Sequence, residues 1–220
     1  MIKTLIALPC MDMVHTGFME SMMNLRKPEG TSYTIVKNTL IHDSRNIIAR
    51  NAIQAGFDRV MWLDSDMIFA PDTLERLDAD MDTGLDFVSG LYFSRRPPYI
   101  KPVAYKRLWY EVKDGVLDAG AENLFDYPDG LCEIEAAGFG CCMTTVDLLK
   151  RVGDQYGAPF DPVESLGEDM AFCLRARKVG ARLWLDTRVK CGHMGMIEYN
   201  EAFYQYVKEL SKAEWERVNK

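Results

Sequence analysis

The chain has 220 residues, 48% of them apolar and 27% charged, and its 33 acidic residues outnumber 26 basic ones for a formal net charge of −7. That size fits one globular core better than two, and the acidic balance excludes nucleic acid as the expected main partner, since phosphate backbones call for a basic patch. No run approaches the roughly 18 consecutive apolar residues of a membrane span, and Ile2–Leu8 is too short for a cleavable signal, so a cytoplasmic location is expected.

Lys3–Pro9 reads as a short apolar strand, and Phe18–Arg26 has helical spacing before Lys27-Pro28-Glu29-Gly30 breaks it. Ser32–Val36 reads as a second strand. Asp43 or Ser44 is the expected cap of a helix that carries Ile48, Ala52 and Ala55 on one face and ends at Gly56. Arg59–Leu63 is an apolar strand that stops at Asp64-Ser65-Asp66. Pro71 suits the first turn of the next helix, and Asp86–Phe93 is the following strand. Strands alternating with helices in this way predict a parallel or mostly parallel sheet with right-handed crossovers.

Between about 94 and 135 prolines punctuate short segments such as Leu108–Val112, which suggests loops and a small antiparallel excursion. A strand over Cys132–Ala136, a glycine turn at Gly138 and Gly140, and a helix over Val146–Val152 follow. A second helix is expected over Glu168–Val179, a last strand over Arg182–Leu185, and an amphipathic terminal helix over 198–218. The six cysteines form no C-x-x-C pair, so neither a zinc knuckle nor a thioredoxin motif is indicated, and reduced, mostly buried thiols are expected.

Three local patterns carry chemistry. In extended backbone residues i and i+2 point the same way, so Asp64 and Asp66 can converge on a hard divalent cation at the carboxyl end of a strand, where ligands of open α/β sheets collect. A solvated turn capping the Pro71 helix is the plainer alternative. Glu168 and Asp169 open a helix, where acids complement the helix dipole or present a rigid catalytic base. His193, between Gly192 and Met194-Gly195, is a surface histidine or, beside a carboxylate site, a third ligand for an ion such as Mn²⁺.

Arg45-Asn46 on a helix, Gly56-Phe57-Asp58, a strand, Asp64-Ser65-Asp66, then Gly167-Glu168-Asp169 and finally His193 together resemble a GT-A-fold glycosyltransferase of the family-2 kind, over roughly residues 1–195. The resemblance implies a single α/β domain of Rossmann-like GT-A fold. Residues 1–93 would form a nucleotide-sugar half, 94–195 an acceptor half and 196–220 a C-terminal helix. It implies transfer of a sugar from a UDP- or GDP-sugar to a hydroxyl acceptor. Asp64, Asp66 and His193 would hold Mn²⁺ or Mg²⁺ against the donor diphosphate, with Ser65 between the acids. Asp169 or Glu168 would supply the base of an inverting reaction. Pro9 and Cys10 would receive the nucleotide base, and Arg45 and Asn46 match the pair that precedes D-x-D. Arg45 has an ion pair with Asp43 or another neighbour as its alternative.

Arg95 and Arg96 would reach phosphate or an anionic acceptor, or form a solvated turn, and Gly138-Phe139-Gly140 resembles the glycine segment that lines the acceptor pocket. The late Q-x-x-R-W element of processive synthases is missing, so processive polymerisation is not expected. A nucleotidyltransferase would want a basic, glycine-rich loop after the first strand, whereas Pro9–Gly17 has one glycine and no lysine or arginine. A D-x-D phosphatase would want its motif on the first strand and a hydroxyl residue where Ile68 stands. A non-catalytic module that binds a sugar nucleotide or a metal is the remaining alternative.

Overall fold

A computed structural model describes residues 1–95, 100–196, 201 and 203–209. The first half alternates as expected: β1 (Thr4–Cys10), α1 (Thr16–Asn24), β2 (Thr31–Lys37), α2 (Ile41–Gln54), β3 (Arg59–Leu63), the short β4 (Met67–Ile68), α3 (Thr73–Met81) and β5 (Phe87–Leu91). Next come β6 (Ala104–Lys113), β7 (Val116–Asn123), β8 (Leu131–Ile134), β9 (Ala136–Ala137) and β10 (Cys141–Thr145). The chain continues through α4 (Val146–Tyr156), α5 (Glu168–Lys178), β11 (Leu183–Lys190) and β12 (Gly192–His193). Of the terminal helix expected over 198–218, residues 201 and 203–209 are described and are helical; the remainder, like Arg96, lies outside the described residues.

Seven strands form the main sheet in the order β2-β1-β3-β10-β5-β11-β8. β1 pairs in parallel with β2 and β3, as β5 does with β11, whereas β10 and β8 run against their neighbours. The sheet is thus mostly parallel and flanked by helices, with β10 as a reversed strand at its centre. The sequence reading passed over β10 because nothing punctuates its end. Its last residue, Thr145, is already the N-cap of α4 and accepts a hydrogen bond from the Leu148 N–H at 3.0 Å. The expected antiparallel excursion is the three-stranded sheet β7-β6-β9.

After their first residues, Thr4 and Arg59, β1 and β3 are apolar runs because both faces of the sheet are covered. Leu5, Ala7 and Trp62 face a core completed by Ile48 of α2, Leu149 of α4 and Phe172 of α5. Ile6, Leu8 and Met61 face Phe18 of α1 and Leu74 of α3. Helix α2 begins at Ile41, so Leu40 occupies the cap and Asp43 sits inside the first turn, where its charge meets the positive end of the helix dipole. Gly56, at φ 68°, turns the chain out of α2 in a left-handed conformation that a side chain would disfavour. Among the described residues no helix is long and apolar enough to cross a membrane.

Asp80 of α3, 6% exposed, lies against Asp186 of β11, 1% exposed. Burial, and then the Asp186 carboxylate, push the Asp80 pKa up to about 6. A carboxyl whose folded pKa exceeds its unfolded one holds its proton more tightly when folded, so stability falls as pH rises from about 4 through 6. Asp80→Asn is therefore expected to stabilise the fold by about 1–2 kcal/mol at pH 7, with the gain fading below pH 4, where both states are protonated. Urea unfolding at pH 4 and pH 7 checks this; an equal change at the two pH values would contradict it.

Candidate functional site

Residues that follow β1, β3 and β5 open into one cavity of about 600 Å³, at the carboxyl ends of parallel strands. Pro9 and Cys10 line it from β1, and Asp64, Ser65 and Asp66 from the turn after β3. Arg45, Glu168, Asp169 and His193 reach it from α2, α5 and β12. Tyr92, Lys101 and Tyr105 also line it and were not singled out in the sequence. The clue for Tyr92 was its place just beyond a buried strand and before an arginine pair.

The acidic turn is fixed by backbone. The Asp64 N–H donates to the Gly140 carbonyl at 3.0 Å, and Met67 N–H donates to the Asp64 carbonyl at 3.2 Å. Met194 N–H donates to the Asp66 carbonyl at 2.8 Å, and His193 pairs with Met67 where β12 meets β4. This short antiparallel ladder brings His193 to Asp66 across the sequence.

The side chains of Asp64 and Asp66 have different partners. The Asp64 carboxylate accepts from the Arg45 guanidinium at 2.9 Å, while the other guanidinium arm donates to Glu168 at 2.5 Å. Arg45 is 2% exposed and lies over the Phe139 ring, 5.1 Å from its centroid. Phe139 belongs to an aromatic cluster with Trp62, Phe160 and Phe172, in which Phe160 and Phe172 stack at 4.7 Å. The alternative partner Asp43 is not used. Burial raises the Asp64 pKa, although Arg45 opposes the rise.

Asp66 turns instead toward His193, whose Nε2 stands 3.7 Å from the Asp66 Oδ1. His193 Nδ1 lies 2.9 Å from the Phe93 carbonyl, which can only accept, so Nδ1 is the donor and, in the neutral imidazole, Nε2 is the nitrogen that presents a lone pair. The Asp66 Oδ1 is buried without a hydrogen-bond partner. The other Asp66 oxygen takes the Arg95 guanidinium, which also donates to the Met194 carbonyl at 2.7 Å. Among the described residues no three histidine, cysteine or acidic side chains gather in the arrangement of a metal site. The structure thus brings Asp66 and His193 within 3.7 Å of each other and pairs the Asp64 carboxylate with the buried Arg45.

Asp169 stands beside this group. Burial, and then the neighbouring Glu168, push its pKa up to about 6 against the opposing pull of Arg45. Its Oδ1 accepts from the Met170 N–H at 2.7 Å.

Asn46 does not line the cavity: its amide nitrogen donates to Asp161 at 2.8 Å and its oxygen accepts from the Phe160 N–H at 2.9 Å, so it ties the loop before α5 onto α2. Phe139 lines the cavity, and the glycines on either side of it, Gly138 and Gly140, make room for Tyr92. A Cβ at Gly138 would collide with the Tyr92 hydroxyl, and one at Gly140 would stand 2.9 Å from the Tyr92 ring. That hydroxyl accepts from the Gly140 N–H at 3.1 Å.

No family model matches the sequence, and no curated protein is similar to it. Among solved structures, A197 from STIV is similar with a TM-score of 0.65 at 17% identity, over 89% of this chain and 87% of that one. GalNAc-T7 with UDP, GalNAc and Mn²⁺ is similar with a TM-score of 0.61 at 11% identity, over 90% of this chain but 44% of that one, so this chain spans less than half its length. At such identities the likeness is one of fold: a mixed α/β domain whose mostly parallel central sheet resembles that of a GT-A glycosyltransferase.

Proposed function

We propose that the chain is a metal-dependent glycosyltransferase that moves a sugar from a UDP- or GDP-sugar to a hydroxyl acceptor. The observation that carries this reading is the pair formed by the orphaned, buried Asp66 Oδ1 and the His193 Nε2 lone pair, 3.7 Å apart, across one cavity from Asp169. A carboxylate oxygen and an imidazole nitrogen are donors that Mn²⁺ accepts, and Asp66 and His193 would be the residues to hold such an ion. The Phe93 carbonyl gives His193 the outer-shell partner that metal-binding imidazoles usually have. A fold-level neighbour crystallised with UDP, GalNAc and Mn²⁺ supports the same substrate class.

Asp66 and His193 hold the cation in this reading, and Asp64, tied to Arg45, contributes its remaining oxygen to the same charge cluster. A bound cation supplies Lewis-acid stabilisation to the charge that develops on the leaving diphosphate. Pro9, Cys10 and Ser65 frame the nucleotide at the ends of β1 and β3. Glu168 is engaged by Arg45, which leaves Asp169 as the base; it takes the acceptor hydroxyl proton as the oxygen attacks the anomeric carbon from the face opposite the diphosphate. A carboxylate tuned to about 6 suits proton abstraction near neutral pH.

Calorimetric titration with UDP and with GDP, each with and without Mn²⁺, tests the reading. One nucleotide is expected to bind only with Mn²⁺, and Asp66→Ala or His193→Ala is expected to weaken that binding by about 10- to 100-fold or more. No binding of either nucleotide under any condition would overturn the proposal.

A further inference from the structure

The Asp66 carboxylate has two oxygens in different company: Oδ1 faces His193, while Oδ2 takes Arg95. The geometry points to Arg95 as a resident counter-cation of Asp66, which a divalent ion displaces on binding, so that the guanidinium becomes available to the donor diphosphate only after the ion is in place. This inference rests on the reading of Asp66 and His193 as metal ligands.

The argument is one of charge and grip. Asp64, Asp66, Glu168 and Asp169 all line the cavity, and Arg45 is already committed to two of them. A guanidinium on one oxygen of a carboxylate repels a divalent ion on the other, because the two charges then stand within a few ångströms. Arg95 is the partner that yields. Its side chain is 47% exposed, whereas those of Asp66 and His193 are 26% and 17% exposed. Both of the latter are also built into the β4–β12 ladder and its flanking bond. Exposed ion pairs are weakly held.

Arg95 lines the cavity directly after Phe93, which bridges to Pro102, and Ser94, whose N–H donates to the Lys101 carbonyl at 2.8 Å. Its stem rests on Gly195, where a Cβ would stand 2.9 Å from the Arg95 Cδ. Gly195→Ala therefore dislodges Arg95 without touching either proposed ligand, and Arg95→Gln removes the charge while keeping most of the bulk.

The test titrates Mn²⁺ alone into wild type, Arg95→Gln and Gly195→Ala, and then UDP and GDP into each at saturating Mn²⁺. Arg95→Gln is expected to bind Mn²⁺ about three- to tenfold more tightly than wild type, and Gly195→Ala also more tightly but by less. At saturating Mn²⁺, Arg95→Gln is expected to bind the nucleotide about tenfold more weakly. These opposite signs are what a merely structural role would not produce. Unchanged or weaker Mn²⁺ affinity in Arg95→Gln, with Mn²⁺-dependent nucleotide binding intact, overturns the displacement alone. Absence of Mn²⁺ binding in all three proteins overturns the metal reading and this inference with it.

Discussion

Asp169→Asn is expected to slow the proposed sugar transfer by about 10²- to 10⁴-fold and, at neutral pH, to make the protein more stable. Burial and the adjacent Glu168 push the Asp169 pKa up to about 6, so at pH 7 the folded state carries a carboxylate charge that its surroundings oppose. Two pKa units correspond to about 3 kcal/mol, and an amide of the same shape relieves most of that cost, for an expected gain of about 1–3 kcal/mol. The sign fixes the pH window. Below about pH 4 aspartate is protonated in both states and the substitution changes little; the gain grows from pH 4 through 6 and is complete above.

Loss of a general base costs about 10²- to 10⁴-fold in turnover, while Mn²⁺-dependent nucleotide binding is expected to survive. The kcat/KM profile of wild type is expected to rise through about pH 6 as Asp169 loses its proton. Glu168→Gln removes the second cause of that raised pKa and is expected to move the rising limb to lower pH. Unfolding at pH 4 and 7, with turnover and nucleotide titration on the same variant, checks all three. Unchanged turnover would remove Asp169 from the base role and leave the carboxylate's strained position without a catalytic explanation.

The parts of the fold that were legible in the sequence were those where one local rule decided the outcome. Arg59–Leu63 is a strand at the expected residues because four apolar side chains in a row, Val60–Leu63, must be covered on both faces and two acids stop the run. α5 begins at Glu168 because Gly167 precedes two acids at the positive end of a helix. Cys141–Thr145 was missed because a reversed strand at the centre of a sheet takes its pairing from β3 and β5, not from its own pattern. That the acidic turn ends a strand was likewise legible, but the partners of its side chains were not. Asp64 pairs with Arg45, which must be neutralised where it is buried, and the second partner of Arg45 is Glu168, 123 residues away. Asn46 was misread for the same reason: its amide is used up by Phe160 and Asp161, more than 100 positions along the chain.

Arg45→Met is expected to be among the most damaging single changes, at about 3–5 kcal/mol. The reason is not the lost ion pairs as such, since a buried ion pair is worth little net once desolvation is counted. It is that Asp64, Glu168 and Asp169 are left as mutually repelling, largely buried carboxylates. Arg45→Lys is expected to recover only part of the loss: a single ammonium cannot repeat the fork that reaches Asp64 with one arm and Glu168 with the other, nor lie flat over Phe139. Arg45 also holds the Asp169 pKa down. Its removal is therefore expected to move the rising limb of the pH–rate profile above pH 6, opposite in direction to Glu168→Gln. The double variant Arg45→Met, Glu168→Gln removes one of the stranded charges and is expected to regain about 1–3 kcal/mol over Arg45→Met alone. A double-mutant cycle by denaturant unfolding, read alongside the pH–rate profiles, measures both effects. Additivity of the two substitutions would mean that Arg45 and Glu168 are not coupled, and the charge balance proposed for Asp169 would then fail.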